Sequence, residues 1–69
     1  MDMQALNKLI ARAMRMIQTT VNEFVQDQLR AVVRLLNEAR RALKKGDEYW
    51  ASERVIFAVQ RVQLARRYA

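Results

Sequence analysis

The chain has 69 residues, with no Cys, no His and no Pro, and carries 13 Lys and Arg against 7 Asp and Glu, a net charge of +6. That composition excludes a disulfide staple, a Cys/His zinc site and any chemistry run by imidazole or thiolate. A chain this short buries only about 60% of the surface that its unfolded form exposes, so self-association is the stabilising device that remains.

The elements are all helical. In the first third, Met3, Leu6, Ile10, Ala13 and Ile17 share one stripe, which predicts a helix over about residues 3–18. Lys8, Arg12 and Arg15 interrupt its apolar residues, unlike the core of a signal peptide. Thr20 with Glu23 three residues on resembles a capping box and predicts a corner there. One continuous helix to Lys45 is the competing reading, because nothing in the segment forbids it. Both stay open.

A second helix is predicted over about residues 21–45, with Val25, Leu29, Val32, Leu36, Ala39 and Leu43 at alternating steps of four and three. Gly46 can take the left-handed conformation that ends a helix, and Asp47 can accept from the first amides of the next. The third helix, about residues 48–68, repeats the rhythm with Ala51, Val55, Ala58, Val62 and Ala65. Folding back at Gly46-Asp47 pairs Leu43 with Ala51, Ala39 with Val55, Leu36 with Ala58, Val32 with Val62 and Leu29 with Ala65. Four of these five layers set small against large, so the helices can approach closely. The predicted fold is all-α: a single small three-helix domain over residues 1–69, with an antiparallel hairpin over residues 25–68.

The run Leu36-Asn37-Glu38-Ala39-Arg40-Arg41-Ala42-Leu43, then Gly46-Asp47, Trp50-Ala51-Ser52-Glu53-Arg54, Ala58 and Leu64-Ala65 resembles the central hairpin of HEPN-type helical domains. It is similar in particular to the archaeal PaREP1 group, over about residues 35–66. The resemblance implies a helical bundle that commonly dimerises, and in many members an RNase site built on an Arg and a His. With no His in the chain, that activity does not carry over.

The hairpin seam accounts for one side of the last helix only. Trp50, Phe57 and Leu64 recur at steps of seven on another side, with Tyr49 and Ile56 beside them. Fully burying a large apolar side chain contributes about 1.5–3 kcal/mol, so this second face needs a cover. Two covers are open: the first helix, through Leu6, Leu9, Ile10, Met14 and Ile17, or another copy or partner on an interface of Trp50, Ile56, Phe57 and Leu64.

Ten of the basic residues are Arg, whose planar fork grips phosphate bidentately. Arg30, Arg34, Arg41 and Lys45 lie close together on the solvent side of the long helix. Arg12 and Arg15 join Lys8 on the first helix, and Arg61 sits on the last. Many basic residues at helix ends are dipole partners, and Glu38 has Arg34 and Arg41 at pairing distance. Arg12, Arg15, Arg30 and Arg61 have few such acidic neighbours. The candidate phosphate-binding set is therefore Arg12, Arg15, Arg30, Arg34, Arg41, Lys45 and Arg61. The aromatics are not interleaved with the basic stripe in sequence, which favours coating of duplex DNA over stacking on single strands. A membrane surface fits less well, and residues 55–59, the longest uncharged apolar run, fall far short of the ~18 residues of a span.

No phosphate loop, metal-ligand cluster or paired carboxylates are present, so neither catalysis nor a cofactor, metal or small-molecule substrate is expected. The expectation is a basic, self-assembling structural protein, cytoplasmic or inside a virion, that packages nucleic acid without sequence specificity. A nucleoid protein or archaeal viral nucleoprotein would fit. The alternative is a HEPN-like, non-catalytic interaction or oligomerisation module, for example in a toxin-antitoxin type system.

Overall fold

The computed structural model describes residues 2–68, which form three helices: α1 (Met3–Thr19), α2 (Glu23–Lys44) and α3 (Glu48–Arg67). Each begins on a short side chain that accepts a backbone N–H left over in the first turn. Asp2 accepts from Gln4 N at 3.0 Å, Asn22 from Val25 N at 3.2 Å and Asp47 from Trp50 N at 3.0 Å.

The expected corner is real, and it separates α1 from α2, but its cap is Asn22 rather than Thr20. Thr20 and Asn22 both have extended backbone, and Val21 between them is 97% exposed. The Thr20 hydroxyl accepts from Asn22 N at 3.3 Å and so shapes the corner, while Glu23 is already the first helical residue. Gln26 Nε2 donates to the Thr20 carbonyl at 2.8 Å. The Thr20 side chain thus braces the link instead of opening the helix.

The second turn follows its expected chemistry. Gly46 has φ +81°, Gly46 N donates to Leu43 O at 3.0 Å, and Asp47 N donates to Ala42 O at 2.9 Å. This pair of bonds closes the last turn of α2 around a left-handed residue. A side chain at position 46 would meet no neighbour within 4 Å, so the requirement for glycine is one of backbone conformation alone.

α3 runs back antiparallel along α2. Glu38 meets Arg54 near the turn, Gln28 meets Arg61 further along, and Asn22 at the start of α2 meets Tyr68 at the end of α3. The line of contact is built from alanine: Ala39 and Ala42 on α2, and Ala51, Ala58 and Ala65 on α3, are all buried. Val32 and Leu36 belong to the same core, with Leu43, Val55 and Val62 packed partly buried against it. Leu29 and Ala65 share a smaller cluster with Val25. Every residue of the five expected layers therefore lies in or against the core.

α1 packs on α2 through Leu6, Ile10 and Ala13, which are buried beside Val32, Leu35 and Leu36. It also runs antiparallel to α2, since Asn7 near its start accepts from Arg40 Nη1 at 3.2 Å and Ile17 near its end packs by Val25 and Leu29. No Cα of α1 comes within 8 Å of a Cα of α3. The helices thus form an open V with α2 at the apex, 37 × 18 × 13 Å overall. This overturns one of the two expected covers: α1 does not reach the Trp50 and Phe57 face. Leu9 and Met14, two of its proposed covering residues, are themselves exposed.

Asn22 joins both ends of the hairpin. Its Oδ1 caps α2, and its Nδ2 donates to Tyr68 O at 2.9 Å, next to an edge-to-face stack of Phe24 on Tyr68 with ring centroids 4.9 Å apart. Asn22→Ala removes both bonds and should destabilise the fold by about 1–2 kcal/mol. Asn22→Asp keeps the cap and loses only the donor, so urea denaturation should place it between Ala and the parent.

Candidate nucleic-acid interface

On α2, Asp27, Arg30, Arg34, Glu38, Arg41 and Lys45 follow one another at steps of three and four, so they form a single stripe. It borders α3, because Arg54 Nη1 lies 3.6 Å from Glu38 Oε2. On the facing side of α3, Trp50, Arg54, Phe57 and Arg61 also follow at steps of four and three. The antiparallel pairing lays these two stripes side by side.

The charges within them pair differently from the expectation. Glu38 bridges across the hairpin to Arg54 and leaves Arg34 and Arg41, its expected helical partners, exposed to solvent. Arg30, expected to lack an acidic neighbour, is paired with Asp27 at 3.2 Å, but both side chains stay more than half exposed. A pair so exposed contributes little and yields readily to another anion. Arg61 donates to Gln28 Oε1 at 3.1 Å and keeps its charge without a counter-ion. These are the only two ion pairs among the described residues.

The structure divides the expected phosphate-binding set. Arg30, Arg34, Arg41, Lys45 and Arg61 belong to the α2–α3 strip. Arg12 and Arg15 do not; they line a shallow depression on α1 with Lys8 and Leu9, at the far arm of the V.

The aromatics lie closer to the charges than the sequence suggested. Arg41, Lys45 and Trp50 line one shallow pocket with Glu38, Ala42 and Asp47. The Arg54 guanidinium lies over the Trp50 ring at 4.1 Å from its centroid and 5.7 Å from that of Phe57. Aromatic and basic residues are interleaved here after all. Helical spacing on α3 already alternates Trp50, Arg54, Phe57 and Arg61; what it could not show is that α2 brings Arg41 and Lys45 to Trp50. Arg54 was outside the expected set, although its position four residues after Trp50 and three before Phe57 was a usable signal. Its Nε is buried without a hydrogen-bond partner, and the stack on Trp50 holds the group in place.

The expected apolar interface is also divided. Trp50 and Phe57 remain 43% and 39% exposed on this strip, with Leu64 half-buried. Ile56, three residues before Val59, lies toward the opposite side of α3. There the V opens as an apolar groove of about 310 Å³, floored by Leu29, Val32 and Leu36 and edged by Leu9, Met16 and Val59. Arg12 and Arg66 stand at its two rims.

Comparisons with protein-family models, with curated proteins and with solved structures return no match for this chain. Among the described residues, no helix is long and apolar enough to cross a membrane, and no three His, Cys, Asp or Glu side chains gather where they could hold a metal ion.

The Arg54 contacts can be separated by substitution. Glu38→Gln removes a partly exposed ion pair and should cost less than about 1 kcal/mol. Arg54→Ala loses in addition the stack on Trp50 and the packing of its stem, and should cost about 1–2 kcal/mol. Thermal unfolding gives the ranking, and Trp50 emission should shift in the second variant only.

Proposed function

We propose that this is a small basic structural protein that binds nucleic acid through its phosphates, without sequence specificity, and packages it by self-association, as a nucleoid protein or viral nucleoprotein does. The observation that carries this reading is the α2–α3 strip, in which Arg30, Arg34, Arg41, Lys45 and Arg61 are all exposed and, among the described residues, Asp27 holds the only carboxylate paired with any of them. Such a strip is an electrostatic footprint for a polyanion, and its arginines suit phosphate. No base-reading motif accompanies it, so affinity would come from phosphate neutralisation and counter-ion release.

Self-association rests on the apolar surface that three helices leave open. Leu9, Met16 and Val59 are each more than 40% exposed along the edges of the groove. In this reading the groove side joins copies, and the strip behind it faces the nucleic acid.

A second reading, a HEPN-like non-catalytic interaction module, is favoured by the groove itself, since an apolar cleft between two helices suits a docking helix. The two readings part on nucleic-acid binding. Titrating duplex DNA at two salt concentrations should show affinity falling steeply, with a slope of log K on log salt of roughly −3 to −5, as expected when four or five phosphates are neutralised on binding. The double variant Arg34→Glu with Arg41→Glu should flatten that slope. No binding at low salt would remove the packaging function and leave the interaction module.

Light scattering addresses assembly separately. The parent should scatter as a dimer or larger species, and Val59→Glu, which puts a charge on the groove edge, should shift it toward monomer. A monomeric parent at high concentration would count against packaging by self-association.

A further inference from the structure

We infer that the end of the strip nearest the turn is a base-stacking site for single-stranded nucleic acid, in which Trp50 stacks an unpaired base while Arg41 and Lys45 hold the adjoining phosphates. This rests on the phosphate-binding reading above and narrows it from any polyanion to one with exposed bases.

Three observations carry it. First, Trp50 keeps 43% of its surface open although the fold has apolar space elsewhere, so its indole is placed at the surface and next to cations. A duplex backbone offers phosphate and sugar but no ring to an indole, whereas a single strand offers both a phosphate and a π-face. Second, Arg54 occupies one face of the ring at 4.1 Å. That stack fixes the plane of the indole in advance, while 43% of Trp50 stays open to solvent. Third, Arg41, Lys45 and Trp50 line one shallow, open depression, so a phosphate and the base next to it reach all three at once.

Two carboxylates share that pocket, Glu38 and Asp47, and both are engaged. Glu38 is paired with Arg54, and Asp47 accepts the Trp50 backbone N–H as the cap of α3. Arg41 and Lys45 are exposed and paired with neither. A phosphate at the pocket mouth therefore meets two uncommitted cations beside an open ring. The same stripe continues through Arg34 and Arg30 on α2 and Phe57 and Arg61 on α3, a path along which further nucleotides of the strand can lie.

Trp50 is the only Trp in the chain, so its fluorescence reports on this site alone. The test titrates the full protein at low salt with oligodeoxythymidine, with oligouridine and with a mixed-sequence DNA duplex of equal length. The expected result is quenching of Trp50 by one or both single strands, which bind more tightly than the duplex. With the variants, which lack the fluorophore, binding is followed by anisotropy of a labelled oligonucleotide: Trp50→Ala should weaken single-strand binding about 5- to 150-fold, the size that one base–aromatic stack supplies, and leave duplex binding unchanged. Trp50→Phe should restore part of the loss, and it separates stacking from any change in folding. Equal binding of single strand and duplex without quenching would overturn the stacking site while the phosphate-binding reading stands. Binding of neither at low salt would overturn both.

Discussion

Two helices can lie close together over a long stretch only if the side chains between them are small. Here α2 and α3 meet over Ala39, Ala42, Ala51, Ala58 and Ala65, all buried. Because the alanines take the line of closest contact, the larger apolar residues of α3 are displaced to either flank. Val55, Val59 and Val62 go to the side facing the groove, and Trp50, Phe57 and Leu64 to the other. The same close approach brings the α2 basic stripe to the edge of α3, near enough for Glu38 to reach Arg54 and for Arg41 and Lys45 to share a pocket with Trp50. Both surfaces to which function is assigned are by-products of that seam.

α3 consequently carries large apolar residues on both flanks of the seam, interleaved with Arg54, Gln60, Arg61, Gln63 and Arg66, which leaves Trp50, Ile56, Phe57 and Val59 without full cover. α1 cannot provide that cover, because it lies on the other arm of the V, seated on α2 by Leu6, Ile10 and Ala13. Arg54 compensates in part: its planar cation spreads over Trp50 and reaches Phe57, shielding ring surface while keeping charge at the interface with water.

The parts of this fold that were legible in the sequence are those fixed by local chemistry. The period of apolar residues in α2 and α3, and the Gly46-Asp47 turn with its cap, each depend on neighbours a few positions away, and they define the hairpin. The corner before α2 was legible as a corner but not in detail, because Thr20 and Asn22 are both competent caps and only their hydrogen bonds separate them. What could not be read was anything set by the angle between helices. Which flank of α2 receives α1 decides whether Trp50 is covered, and periodicity is silent on that. The partner of Glu38 was misjudged for the same reason: helical spacing offers Arg34 and Arg41, whereas the neighbouring helix supplies Arg54. The approach of Arg41 and Lys45 to Trp50 likewise arises from adjacency between helices.

The open V also makes the stability of the molecule uneven. α3 is fastened to α2 along its whole length and again at the far end by Asn22 and Tyr68, while α1 is held from one side only, by three buried side chains and the Arg40 to Asn7 bond. Regions with few buried contacts open at lower free energy than the whole. α1 is therefore the less firmly anchored of the two outer helices, tied to the hairpin by the Thr20 to Asn22 link and by one side of its own surface.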